Sequence, residues 1–306
     1  MSNLAAIIPT EKAPLVVKKS VLTLPDPENS GTVESIGSEI TGFKVGDRVA
    51  AVKKLGAVGN QYGSFQQYVV ADESLTSKVA AGVDIEVPAS LTGNLPTIAG
   101  LFTDRLGFEK PSLDGLASVK DKKVLVYGGS SSVASLGVQY VSQAGYTVIT
   151  TSSPKNHAFV SKLGAAKVID HTQDKDAVIK SLIAEGPYNL IFDAISLPET
   201  TAITGQVVVA QGGGDIYVTL PNFGPETLPA NVKRVFDSWS SALYEDKNKG
   251  LAEWAFHEYL PQGVASGKIL PLPIQKVGGG LKSLPAALEL LGKGVSGAKL
   301  VLDPQE

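Results

Sequence analysis

The sequence predicts an α/β chain in which a doubly wound parallel sheet is inserted into a small antiparallel β-barrel. Three observations carry this. Residues 1 to about 90 are short β-branched runs broken by Gly, Pro and Asp, such as "SGTVESIGSEI", "KVGDRVAAV" and "SFQQYVVAD"; many short strands of this kind are the texture of a small barrel. From Leu91 onward, apolar strand-like runs alternate with stretches of helical spacing, which implies parallel strands joined by right-handed crossovers. Near the end, "KILPLPIQKV" and "AKLVLD" flank a helical stretch near Leu281–Leu291, so the tail returns to the first domain. The domains read as 1–90, 91–264 and 265–306.

In the first domain, Gly46-Asp47 in "FKVGDRV" supplies a tight turn between two apolar strands. "KVLVY" (Lys123–Tyr127) is a buried-strand run, and Ser131 to Ala144 then places Val133, Leu136, Tyr140 and Ala144 at helical spacing. "GYTVITT" is the next strand. The helix after it is well punctuated, with Ser153 as N-cap, Pro154 at the first helical position and Gly164 at the end. "AKVID", "YNLIFDAI" and "DIYVTL" complete the run of parallel strands.

Composition narrows the function classes. Hydrophobic residues make up 43% and charged residues 19% of 306, a globular balance. The net charge is 27 − 30 = −3 and the arginines are Arg48, Arg105 and Arg234 only, which argues against a nucleic-acid surface. With no cysteine, disulfides, thiolate metal sites and thiol nucleophiles are excluded. His157, His171 and His257 lie far apart and outside any HxxxH or HExxH spacing, so no metal site is expected. The segment "MSNLAAIIPTEKAP" has no basic n-region and breaks at Pro9. The expectation is a soluble cytoplasmic protein that acts on a small molecule, as a monomer or a homodimer, without nucleic acid or membrane as partner.

"KVLVYGGSSSVASLGVQY" (Lys123–Tyr140) marks the candidate binding turn. A helix N-terminus after a buried strand offers unpaired N–H groups and partial positive charge, a seat for pyrophosphate. Gly128 and Gly129 can make the turn; Ser131 and Ser132 stand where later glycines are usual, and Ala134 takes the close-packing position. Sites selective for NAD carry an Asp or Glu about 20 residues on. Here "TVITTSSPKN" holds no acid and offers Thr151, Ser152, Ser153 and Lys155 instead. A carboxylate there would repel a 2′-phosphate by roughly 4 kcal/mol at close range and intermediate dielectric, so its absence favours NADP(H). The plainer reading stands beside this one: Ser153 only caps its helix and Lys155 is solvated.

"GTVESIG", "FKVGDRVAAV", "GSFQQYVV", "VLVYGGSSSVASLGVQ" and "VSGAKLVLD" together resemble the medium-chain dehydrogenase/reductase superfamily, in order and over nearly the whole chain. More narrowly, they are similar to its zinc-free quinone-oxidoreductase and fungal enoyl-reductase branch. The resemblance implies a GroES-like barrel domain joined to a Rossmann domain, with NADPH in the cleft between them. It maps the pyrophosphate loop to Ser130, Ser131, Ser132 and Val133, and the 2′-phosphate pocket to Ser153, Lys155 and Asn156. His171 falls at the adenine end, where an ordinary surface histidine is an equal reading. Thr219 and Leu220 map to the nicotinamide, as do Val295 and Ser296.

One departure bears on function. "LPDPENSGTVESIG" runs straight into the GTVxxIG strand, where the family carries roughly three dozen further residues, a few strands and a helix at usual lengths, that line the substrate pocket. Two readings stay open: an NADPH-dependent reductase of a quinone, enone or enoyl substrate, or an NADPH-binding homologue without turnover, acting as an accessory protein. A zinc alcohol dehydrogenase is disfavoured by the lack of cysteine. No catalytic residue is named; Tyr62 is a cleft candidate but reads first as structural.

Overall fold

The computed structural model describes residues 15–24 (backbone only), 28–53, 55–63, 65–222, 224 and 228–306. The reading of residues 1–14 lies outside the described residues. The chain forms two compact units, one of Met1–Gly100 with Ser240–Glu306 and the other of Leu101–Trp239. The divisions therefore fall at 100/101 and 239/240, whereas the sequence reading set them at 90/91 and 264/265.

The first unit opens with β1 (Leu15–Leu24), β2 (Glu28–Ser35), β3 (Arg48–Val52), β4 (Tyr68–Ala71) and β5 (Thr76–Lys78), then the short helices α1 (Glu86–Ala89) and α2 (Asn94–Ala99). β1 and β2 pair antiparallel from Val16↔Ser35 to Leu22↔Asn29, and β1 also pairs with β4. At the place where the resemblance leads one to expect extra strands, the chain is a direct hairpin. Gly46 does sit at a positive φ of 90°, and Asp47 N–H bonds back to Lys44 O. The segment before that turn is a bend and not a strand; Phe43 instead packs inward with Val33, Val49, Ala51, Val69 and Ala71.

The second unit runs β6 (Lys123–Tyr127), α3 (Ser132–Gln143), β7 (Thr147–Ser152), α4 (Pro154–Val160), β8 (Lys167–Asp170), α5 (Lys175–Glu185), β9 (Leu190–Asp193), α6 (Pro198–Ala210), β10 (Gly214–Val218) and β11 (Val232–Phe236). The six strands order as β11-β10-β9-β6-β7-β8, and every pairing is parallel. Strands buried on both faces read as continuous apolar runs. Leu125 and Tyr127 accordingly join Ile149, Ile191, Val207 and Ile216 in one core, while Val124 and Val126, which alternate with them along the strand, are equally sealed. The order steps outward from β6 to β7 on one side and to β9 on the other. The carboxyl ends of these central strands are where such sheets bind ligands.

The chain returns to the first unit through α7 (Lys249–Glu253), a π-helical turn at 254–259, α8 (Leu260–Ala265), β12 (Ile274–Lys276), α9 (Leu284–Gly292) and β13 (Lys299–Leu302). β13 lies antiparallel to β1 and parallel to β12, giving the order β12-β13-β1-β2-β3-β5 with β4 on β1. Lys299 and Glu28, both sealed from solvent, form an ion pair of 3.2 Å across this return, and Gly93 N–H donates to the same carboxylate.

Candidate functional site

The site is built where β6 gives way to α3. Gly128 holds φ at +90°, and a Cβ there would meet Ile195 Cδ1 at 2.6 Å; a Cβ on Gly129 would strike Thr150 Oγ1. Both positions need glycine because the turn presses on β7 and on the loop after β9. Their amides are turned inward: Gly128 N–H donates to Thr151 Oγ1 at 2.9 Å and Gly129 N–H to Thr151 O at 2.9 Å. These two glycines therefore shape the loop and offer no N–H to a ligand.

Ser131 is the N-cap of α3, its Oγ accepting from Ala134 N–H at 3.2 Å. The N–H groups of Ser130 and Val133 have no acceptor among the described residues, and residues 130–133 are half-buried. The open amides of Ser130, just before the N-cap, and of Val133, in the first turn of a twelve-residue helix, concentrate positive potential there. The resemblance maps a pyrophosphate to these four residues, Ser130, Ser131, Ser132 and Val133.

The end of β7 stands beside this turn. Thr151 and Ser152 are buried and Ser153 is half-buried at the N-cap position of α4. The expected cap bond is absent, however: Ser153 Oγ accepts from Asn156 Nδ2 at 3.3 Å, and Asn156 N–H bonds Ser153 O at 3.0 Å. With Pro154 supplying no N–H, the first turn asks less of the cap. Lys155 is exposed. The adjoining strand ends in Asp170, the register partner of Ser152, but Asp170 Oδ1 is engaged by the Thr172 hydroxyl and N–H. Those hydrogen bonds hold its carboxyl below the usual range. His171 is exposed, with its N–H 3.4 Å from Ser152 O.

The carboxyl ends of β9 and β10 close the other side. Asp193, paired with Tyr127 across β6 and β9, is fully buried and accepts from the N–H groups of Ile195 and Ser196 on one oxygen. Its second oxygen has no partner. Burial pushes this carboxyl up to about 6, against the lowering pull of its hydrogen bonds and of Arg234. Burial likewise raises the Tyr127 hydroxyl to about 12, so it stays protonated at neutral pH. Thr219 Oγ1 donates to Ala194 O, and Leu220 is 37% exposed.

Seen from the sequence, twelve of the fourteen expected binding residues belong to the Rossmann-type unit; Val295 and Ser296 belong to the other. Val295 packs with Leu284, Leu291 and Leu300 around α9. Sequence reasoning missed Thr151 as the anchor of the loop, and Asp193, Ser196 and Arg234 altogether. The "IFDAIS" run did carry a signal, an acid ending an apolar strand. Among the described residues, no group of three His, Asp or Glu is placed to hold a metal ion, and no helix is long and apolar enough to cross a membrane. Tyr62 lines a cleft of about 410 Å³ in the first unit with Leu55, Val58 and Val70.

Residues 11–81 match the alcohol dehydrogenase GroES-like domain. The chain is 32% identical over 283 residues to a trans-enoyl reductase of Aspergillus japonicus, covering 90% of this chain and 79% of that protein. It is 30% identical over 296 residues to the enoyl reductase component of the lovastatin nonaketide synthase of Aspergillus terreus, covering 89% and 79%. Among solved structures, quinone oxidoreductase of Escherichia coli complexed with NADPH superposes with a TM-score of 0.74 at 17% identity, covering 99% of this chain and 95% of that one. That likeness concerns the fold.

Proposed function

Because the chain belongs to the medium-chain dehydrogenase/reductase superfamily, we propose that it is an NADP(H)-dependent oxidoreductase that reduces the conjugated double bond of an enone or enoyl substrate, or a quinone. The observation that carries this reading is the pairing of open amides at the start of α3 with a hydroxyl-rich end of β7 that has no acid of its own, the neighbouring Asp170 being engaged by Thr172. The first suits a pyrophosphate; the second suits an adenosine ribose bearing a phosphate, with Lys155 as the neutralising charge. The names of the relatives, enoyl reductases, and of the NADPH-bound quinone oxidoreductase support the same class.

When bound, the cofactor supplies hydride at C4 of its nicotinamide. The chain's own work is orientation: Ser130 to Val133 would hold the diphosphate, Ser153, Lys155 and Asn156 the 2′-phosphate, and His171 the adenine edge. Thr219 and Leu220 would bound the nicotinamide. Reduction also consumes one proton, delivered by a hydroxyl side chain or by water. Zinc plays no part in this scheme.

The direct β1–β2 hairpin favours a second reading, in which the cofactor binds without turnover and the protein serves as an accessory. One experiment separates the two. NADPH consumption is followed against a panel of quinones and enones, with a chimaera carrying a relative's inserted segment at the hairpin as the positive control. Turnover by the chain itself supports the reductase; turnover by the chimaera alone supports the accessory.

A further inference from the structure

The loops that follow β9 and β10 are tied together at several points, among them a 3.1 Å contact between the Ser196 and Thr219 hydroxyls. Ser196 Oγ accepts from Thr219 N–H at 2.8 Å, and Thr219 Oγ1 donates to Ala194 O at 3.2 Å. A further tie comes from the edge strand: Arg234 Nη2 lies 3.1 Å from Ser196 O, 2.8 Å from Leu220 O and 3.1 Å from Pro221 O. The same guanidinium thus reaches the carbonyls of both loops at once.

The backbone it holds is not one the chain would choose alone. Ser196 has φ +61°, a left-handed conformation disfavoured for residues with a Cβ, and such strain persists only where the surroundings over-determine it. Beneath it lies Asp193, fully buried, with one oxygen on the Ile195 and Ser196 amides and the other without a partner. Meanwhile β10 and β11 are already joined in register over five pairs, from Gly214↔Val232 to Val218↔Phe236. The sheet edge therefore has its own backbone ladder, and the guanidinium is spent on loop carbonyls beyond it.

We propose that Arg234 is a positioning residue for the nicotinamide half of the cofactor. By gripping carbonyls on both loops it sets the separation of Ser196 from Leu220, and with it the face that Thr219 and Leu220 present. The inference rests on the nicotinamide placement proposed above. All three carbonyls lie against one nitrogen, Nη2, which shares its two N–H groups among them; the planar guanidinium holds that nitrogen in a fixed place, whereas lysine brings a mobile ammonium. A preformed loop pair lowers the ordering cost of binding, so its loss should fall on that half of the ligand alone.

The test uses the full chain and two probes: NADPH, and adenosine 2′,5′-bisphosphate, which has no nicotinamide. Arg234→Met and Arg234→Lys are each expected to leave the bisphosphate dissociation constant within twofold and to weaken NADPH tenfold or more. Should the Met variant fail to fold, the Lys variant carries the comparison. Equal weakening of both probes, or no weakening of NADPH, overturns the inference while leaving the cofactor site intact. Failure of the unaltered chain to bind either probe overturns the cofactor reading and this inference with it.

Discussion

Thr151 accepts the Gly128 N–H on its side-chain oxygen and the Gly129 N–H on its backbone oxygen, each at 2.9 Å. One buried residue at the end of β7 thereby fixes the turn that opens α3. Both halves of the proposed cofactor site, the diphosphate loop and the ribose end of β7, are coupled through it.

Replacing Thr151 with Val keeps the shape and removes one acceptor, leaving the buried Gly128 N–H without a partner. Such a loss costs about 1–3 kcal/mol. Urea unfolding should show a lowered midpoint with an unchanged slope, and NADPH should bind more weakly than to the parent chain. An unchanged midpoint would mean that the loop holds its form without β7.

Asp193 gives a signed pH dependence. Its carboxyl is raised to about 6 from 3.8, so between those values the folded chain binds more protons than the unfolded one. Stability from this group is then greatest below pH 4 and falls as pH rises to about 6, by about 3 kcal/mol. Asp193→Asn keeps an acceptor for Ile195 and Ser196 and cannot ionise. Its unfolding free energy, measured from pH 4 to 7, should lack this decline relative to the parent; parallel profiles would contradict the assignment.

Lys299→Met strands Glu28 as a buried, uncompensated charge and is expected to cost about 3–5 kcal/mol, whereas replacing the pair together with apolar residues should come close to neutral. A double-mutant cycle by denaturant unfolding reads this coupling directly. Additive losses would show that the two side chains do not act as a pair.

How much of this was legible follows from what each residue depends on. The strand and helix at Lys123–Gln143 were visible because a buried-strand run, two glycines and apolar residues at helical spacing all agree there. The return of the tail was visible through its strand-like texture. The Glu28–Lys299 pair was not, since it joins residues at opposite ends of the chain. Nor was β11: "VKRVF" alternates weakly, and only its parallel ladder on β10 makes it a strand. Ser153 was expected to cap α4 by its residue type, but Asn156 takes its hydroxyl. Arg234 looked like one of three scattered arginines until the sheet brought its side chain to the ends of two other strands.

The central claim is the preference for the phosphorylated dinucleotide, and a thermal-shift titration tests it most directly. At 100 times its dissociation constant a ligand stabilises by about 2.7 kcal/mol, a rise of several degrees in midpoint. NADPH should raise the midpoint of the unaltered chain well above any rise from NADH, and Lys155→Glu should abolish the difference. Equal shifts from the two cofactors, or a preference that survives Lys155→Glu, would contradict the account.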